Sequence, residues 1–167
     1  MSAARGRNRR RPATGSRERI LLVGSSGGHL TQLLELRPWW AVNDRAWVTF
    51  ETADAVGALR DERDVTWSYH PTTRNIPNLL RNSVQAWGVV RRFRPSCVVS
   101  TGAATAVPYF VLGRLFGIRT VYIEVFDRVE TPTLTGRLVR PFTDLMLVQW
   151  PEQTPLYDDA VEIGPLL

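Results

Sequence analysis

Gly24-Ser25-Ser26-Gly27-Gly28, followed at once by His29, is a glycine-rich loop set between an apolar run and a helical pattern. Ile20 to Val23 precede it, and Leu30, Leu33 and Leu34 follow at helical spacing. That order is how a first parallel strand turns into its helix. The loop's amides, with the positive end of the helix dipole behind them, face any anion placed there, so the chemistry on offer is the holding of a phosphate or a sugar phosphate. The spacing is neither the Walker pattern, which ends in Gly-Lys-Ser/Thr, nor G-x-G-x-x-G, and a bare strand-to-helix turn remains the plainer alternative.

The rest of the chain supplies the elements that must position this loop. After a helix that should stop near Pro38, strands are expected at 45–50, 65–69, 97–100, 120–123 and 145–148. Helices are expected at 53–59, 76–93, 106–116 and 133–139. The helix at 76–93 is the clearest: Ile76, Leu79, Leu80, Val84, Trp87, Val90 and Phe93 recur every three or four residues, opposite Arg81, Asn82, Gln85 and Arg91. Core packing is favoured over membrane contact for that stripe. Strand–helix alternation predicts an α/β fold, a Rossmann-like parallel sheet with helices on both faces. Ligands of such sheets gather at the carboxyl ends of the strands. Four loops fall there, Gly24 to His29, His70 to Asn75, Thr101 to Ala104 and Glu124 to Arg128, and each carries polar groups that a bare turn does not need.

The 167 residues fit one domain with a proper core, and 44% hydrophobic with 22% charged residues is the composition of a globular protein. The net charge of +5 is uneven: residues 1–19 hold seven arginines against one glutamate, the remainder fourteen arginines against fifteen acids. Residues 1–19 are therefore expected to be a disordered arginine-rich tail, and 20–167 a single domain near neutrality. The tail suits an anionic membrane surface; no aromatic or glycine motif interleaves with its arginines, so nucleic acid is not expected as a partner. The lone Cys97 lies in an apolar run, excludes an internal disulfide and fits a reducing compartment. No apolar run is long enough for a transmembrane helix, and neither a metal nor a cofactor is expected.

Four motifs occur in one order: Leu-Leu-Val-Gly-Ser-Ser-Gly-Gly-His-Leu (21–30), Thr-Arg-Asn-Ile-Pro-Asn-Leu-Leu-Arg-Asn (73–82), Val-Val-Ser-Thr-Gly-Ala (98–103) and Thr-Gly-Arg-Leu-Val-Arg-Pro-Phe-Thr-Asp-Leu-Met-Leu-Val-Gln-Trp (135–150). Together they resemble the asparagine-linked glycosylation protein 14-like family. The resemblance implies the N-terminal, acceptor-side half of a GT-B glycosyltransferase. Its partner is then a separate donor-binding subunit equivalent to the C-terminal GT-B half, forming a heterodimer. It implies a UDP-sugar brought by that partner, a polyprenyl-pyrophosphate-linked saccharide as acceptor, and a peripheral place on the cytoplasmic face of the cell membrane. Family members commonly read Glu-Ser-Phe-Ala-Arg where this chain has Glu124-Val125-Phe126-Asp127-Arg128.

On that resemblance the candidate catalytic residues are His29 and Glu124. Inverting transfer needs a base for the acceptor hydroxyl, and an imidazole near neutrality suits it. For His29 the alternative is a helix cap or a bond to a backbone carbonyl; for Glu124 it is a salt bridge to Arg128 or another arginine. Gly24, Ser25, Ser26, Gly27 and Gly28 would offer amides to the lipid pyrophosphate, with Arg74, Asn75 and Arg128 as further polar contacts. Thr101 and Gly102 would line the floor or make the turn. Two other readings remain open. One is a non-catalytic scaffold that recruits the donor subunit to the membrane. The other is a stand-alone nucleotide- or sugar-phosphate-binding protein. The C-terminal Gly-Pro-Leu-Leu is expected to have little to bury against and to serve the partner.

Overall fold

The expected strands form one parallel sheet in the computed structural model, which describes residues 17–72 and 75–167. The strands are β1 (Arg19–Val23), β2 (Asp44–Phe50), β3 (Val65–Ser68), β4 (Cys97–Ser100), β5 (Arg119–Ile123), β6 (Leu145–Val148) and β7 (Val161–Glu162). They lie in the order β3-β2-β1-β4-β5-β6-β7, every neighbouring pair parallel. The order reverses between β1 and β4, and the crevice beyond their carboxyl ends is where such sheets take ligands.

The helices are α1 (Gly28–Glu35), α2 (Arg37–Trp40), α3 (Ala53–Ala58), α4 (Ile76–Phe93), α5 (Ala106–Phe116) and α6 (Leu134–Val139). Successive residues of β1 face opposite ways, as strand geometry requires. Leu21 and Val23 enter the core under α4 and α5; Ile20 and Leu22 enter the one under α1, with Leu30, Leu33 and Trp40. Both faces at the centre of the sheet are apolar because both are covered, the reason β1 from Ile20, β4 up to Val99 and β6 read as apolar runs.

Four local expectations are revised. Pro38 does not simply end the first helix: α1 stops at Glu35, and Pro38 sits in the first turn of α2, where its missing N–H is harmless. The tail expected over residues 1–19 gives up its last residues to the domain: Arg19 opens β1 and stacks on Phe93, and Glu18 pairs with Arg119 at 2.6 Å. Residues 1–16 lie outside the described part. The C-terminal residues find a seat after all: β7 adds to β6, and Leu166 packs on the α1-side core.

The largest revision concerns α4, whose predicted stripe is core only at Val90 and Phe93. Only its C-terminal half, Ala86, Val89, Val90 and Phe93, is buried beside β1 and β4. In the N-terminal half the sheet-facing positions are Asn78 and Asn82. Asn82 bonds the N–H and carbonyl of Tyr69 at 2.9 Å each, and Asn78 donates to the Pro71 carbonyl at 2.9 Å. These amides satisfy the chain leaving edge strand β3, a task no aliphatic side chain can perform. Ile76, Leu80 and Val84 consequently point outward, 70, 63 and 76% exposed, with Leu79 and Trp87 beside them.

Candidate functional site

At the crevice between β1 and β4 the first and third polar loops close on each other. His29 Nδ1 lies 2.9 Å from the Thr101 carbonyl, and the Thr101 hydroxyl donates to the His29 carbonyl at 2.8 Å. A carbonyl only accepts, so Nδ1 carries the proton and Nε2 keeps its lone pair. Withdrawal from water holds the imidazole below its ordinary 6.5; the Thr101 carbonyl and the charges of Asp127 and Glu124 pull the other way without winning. Gly102 makes the fit possible. Its φ is +132°, and a Cβ there would stand 2.7 Å from His29 Cε1 and 3.2 Å from the Tyr122 hydroxyl. Gly24 fills a similar place on the other side, where a Cβ would touch Leu33, Thr101 and His29.

Glu124 ends β5 wholly buried, and its carboxylate is held by hydroxyls and amides rather than by an arginine. Oε1 accepts from the Val125 N–H and the Thr133 hydroxyl, each at 3.0 Å; Oε2 accepts from the Thr133 N–H at 3.2 Å and from the Tyr157 hydroxyl. The expected alternative, a salt bridge to Arg128, is replaced by this cage because Arg128 is an exposed side chain on the loop beyond. The Thr133 hydroxyl hydrogen goes to Glu124, so Tyr122 donates to Thr133 Oγ1 at 3.1 Å. Burial first, and Glu124's negative charge after it, push both tyrosines well above the ordinary phenol value, which keeps them protonated donors. Gly136 closes the cage: a Cβ would sit 2.7 Å from Glu124 Oε2 and 3.0 Å from Thr133 Oγ1, besides striking the Tyr157 hydroxyl. Gly136→Ala is therefore expected to lower stability by about 3 kcal/mol, read as a fall in the urea midpoint at unchanged slope.

Behind the cage lies a layer of three buried glutamines that sequence reasoning missed. Gln153 Nε2 donates to the carbonyls of Val125 and Arg128 at 2.7 and 3.0 Å, pinning the loop that carries Asp127. Gln149 Nε2 donates to the Glu124 carbonyl at 2.9 Å and to Gln32 Oε1 at 2.5 Å. Gln32 follows His29 by three residues on the buried side of α1. The rule that singled out the other loops applies here too: Gln149 stands immediately after β6, at a strand's carboxyl end.

The described residues of the second polar loop, His70 to Thr72 and Asn75, do not join this group. The loop follows β3, the sheet edge, with β2 between it and β1. Asn75 caps α4, its side chain accepting from the Asn78 N–H at 3.0 Å, and His70 packs on Phe50. Arg74 lies outside the described residues. In the glycine loop Ser25 is turned back on the Ser26 carbonyl at 3.4 Å, and the Gly27 N–H donates to the Asp54 carboxylate at 3.0 Å. With the Gly24 N–H on the Val48 carbonyl at 3.0 Å, two amides of the expected anion site are already engaged, leaving the loop's others, Gly28 among them, for an anion.

Residues 48–166, which include β4 to β7 and the whole Glu124 cage, match the family described as Oligosaccharide biosynthesis protein Alg14 like. The chain belongs to the Alg14 family. The UDP-N-acetylglucosamine transferase subunit ALG14 of Mus musculus is 31% identical to it over 89% of this chain and 83% of its own length. The Homo sapiens protein of the same name is 27% identical over 89% and 82%. Among solved structures, MurG of Acinetobacter baumannii superposes with a TM-score of 0.72 at 15% identity, covering 88% of this Alg14-family chain and 45% of MurG. The S. aureus MnaA–UDP co-structure gives 0.68 at 12% identity, covering 89% and 45%. The Alg14-family chain thus spans under half of those two proteins, and the likeness confirms the expected Rossmann-like, half-GT-B fold.

Proposed function

We propose that this chain is the acceptor-binding subunit of a two-component glycosyltransferase. It acts with a separate donor-binding subunit that brings a UDP-sugar, transferring GlcNAc or a hexose to a polyprenyl-pyrophosphate-linked saccharide. The transferase names of its relatives support the class, and one observation carries the chemistry: His29 is fixed by Thr101 with Nε2 unprotonated at the switch-point crevice. As the acceptor hydroxyl attacks the anomeric carbon, its proton passes to His29 Nε2 and the bond electrons leave with UDP. Glu124, the other candidate base, has both carboxylate oxygens engaged and acts as the post that holds the loop and raises the local negative charge. Ser26 and Gly28 are assigned to the acceptor's phosphates. Asp127, where family members commonly carry alanine, sets the charge the acceptor sugar meets.

The outward face of α4 supports a lipid surface as the setting of this site. The helix carries Arg81, Arg91 and Arg92 and no acid, and it continues through Trp87 onto Phe116, their rings 5.3 Å apart. No helix among the described residues is long and apolar enough to cross a membrane, so the contact proposed is peripheral, on the cytoplasmic face.

The test is reconstitution. Chain plus donor subunit, UDP-GlcNAc and a polyprenyl-pyrophosphate-GlcNAc acceptor should give transfer. The chain alone should neither turn over nor show heat of UDP-GlcNAc binding. Deleting residues 161–167, proposed as part of the docking surface, should abolish capture of the partner in a pull-down. Turnover by the lone chain, or full capture after the deletion, would overturn the reading.

A further inference from the structure

Gln149 is wholly buried and every polar atom of its side chain is engaged, each to a different part of the molecule. One Nε2 hydrogen goes to Gln32 Oε1 on the helix that bears His29, the other to the backbone carbonyl of Glu124. Its Oε1 accepts the N–H of Leu166, the penultimate residue, at 2.9 Å. Its backbone N–H goes to Gln153 Oε1 at 2.8 Å, and Gln153 holds the Val125 and Arg128 carbonyls. One side chain thus joins the C-terminal segment, the Glu124 loop and α1.

An amide of this kind has one correct orientation. Turned over, it would set its oxygen against two other oxygens and its NH2 against an N–H. All three partners agree on that orientation, and the Leu166 N–H is the one among them that satisfies the buried Oε1. The neighbouring Leu166 side chain packs on the α1-side core, whereas Ile163 and Leu167 are exposed. The segment is therefore half anchored and half free for another surface.

We infer that Gln149 is a positioning residue through which the C-terminal segment sets the geometry of the His29–Glu124 pocket, so that whatever grips residues 163–167 also aligns the site. With the segment seated, the Gln149 amide faces Glu124 and Gln32 and holds β5's end against α1. With it displaced, Oε1 is left buried without a donor, and the amide shifts to recover one, so that α1 and the Glu124 loop relax apart. The consequence for transfer rests on the acceptor-subunit reading; the coupling itself does not.

Leu166→Pro deletes the one N–H, and Leu166→Ala keeps it while trimming the side chain. The chain has two histidines, so 13C-histidine labelling of the full-length protein gives one imidazole at the site and one, His70, at the sheet edge as an internal control. Leu166→Pro should shift the His29 ring resonances and its titration midpoint and leave His70 unmoved; Leu166→Ala should leave both as in the wild type. In a Gln149→Leu background Leu166→Pro should add nothing further at His29. If Gln149→Leu does not fold, the Pro/Ala pair still decides. An unmoved His29, or equal shifts from Leu166→Pro and Leu166→Ala, overturns the coupling. In the complex with the donor subunit, Leu166→Pro should lower kcat about tenfold with KM for the UDP-sugar unchanged; an unchanged kcat overturns the role in alignment. Absence of transfer by the wild-type complex would instead sink the glycosyltransferase reading, with the imidazole shifts still testing the coupling.

Discussion

His29→Asn is expected to lower transfer by the reconstituted complex by about 10²- to 10⁴-fold, the range for losing a positioned general base, while the chain stays folded and still captures its partner. Asparagine is the informative replacement because its amide can still donate to the Thr101 carbonyl, which keeps the local structure and removes only the basic nitrogen. The acid limb of the wild-type rate profile should fall below 6.5, since burial depresses the imidazole and the group must be neutral to act; the rate should be flat from there through neutrality. The same depression has a stability sign. Between the folded and unfolded values the unfolded chain binds the extra proton, so stability is full above about 6.5 and declines as pH falls through the folded value. Urea midpoints on either side of that window should show the decline in the wild type and lose the His29 share of it in His29→Asn. Near-normal transfer by a folded His29→Asn complex would remove the base assignment and favour the scaffold reading.

The parts of this site that proved legible are those written locally. Ile20 to Val23, the glycines and the spaced leucines of α1 fix a strand, a turn and a helix within 16 residues of one another, and the alternation of such units forces a parallel sheet whose strand ends face one way. That was enough to bring His29, Thr101, Gly102 and Glu124 to the same edge. The bond that fixes the tautomer was not legible, because its partners are 72 residues apart and meet only through the β1–β4 pairing. Glu124's partners were misjudged for a related reason. Charge complementarity in sequence suggests arginine, yet full burial favours neutral donors that can be packed, here Thr133 and Tyr157. On α4 the periodicity showed that an apolar stripe exists but carried no information on which way it faces. Asn78 and Asn82 decided that, through backbone groups near β3 that no helical pattern reveals.

That outward stripe leads to the second large effect. Leu80→Asp combined with Val84→Asp should reduce binding to phosphatidylcholine–phosphatidylglycerol vesicles by about 10²- to 10⁴-fold in sedimentation, since each buried aliphatic side chain is worth roughly 1.5–3 kcal/mol and two are removed. Thermal stability should hardly move, because both side chains are solvated in the free protein and surface changes stay within about 0.5 kcal/mol. The arginine-rich residues 1–16 offer a competing anchor with a different signature. Each basic residue contributes roughly 1 kcal/mol at an anionic surface, vanishing with salt and on zwitterionic lipid. An apolar face keeps working under both conditions. Removing residues 1–16 should therefore weaken binding only to anionic vesicles at low salt, leaving a salt-resistant component that the double aspartate variant abolishes. If the double variant binds as the wild type while the truncated chain does not bind at all, the tail is the anchor, and α4's exposed face must await a protein partner instead.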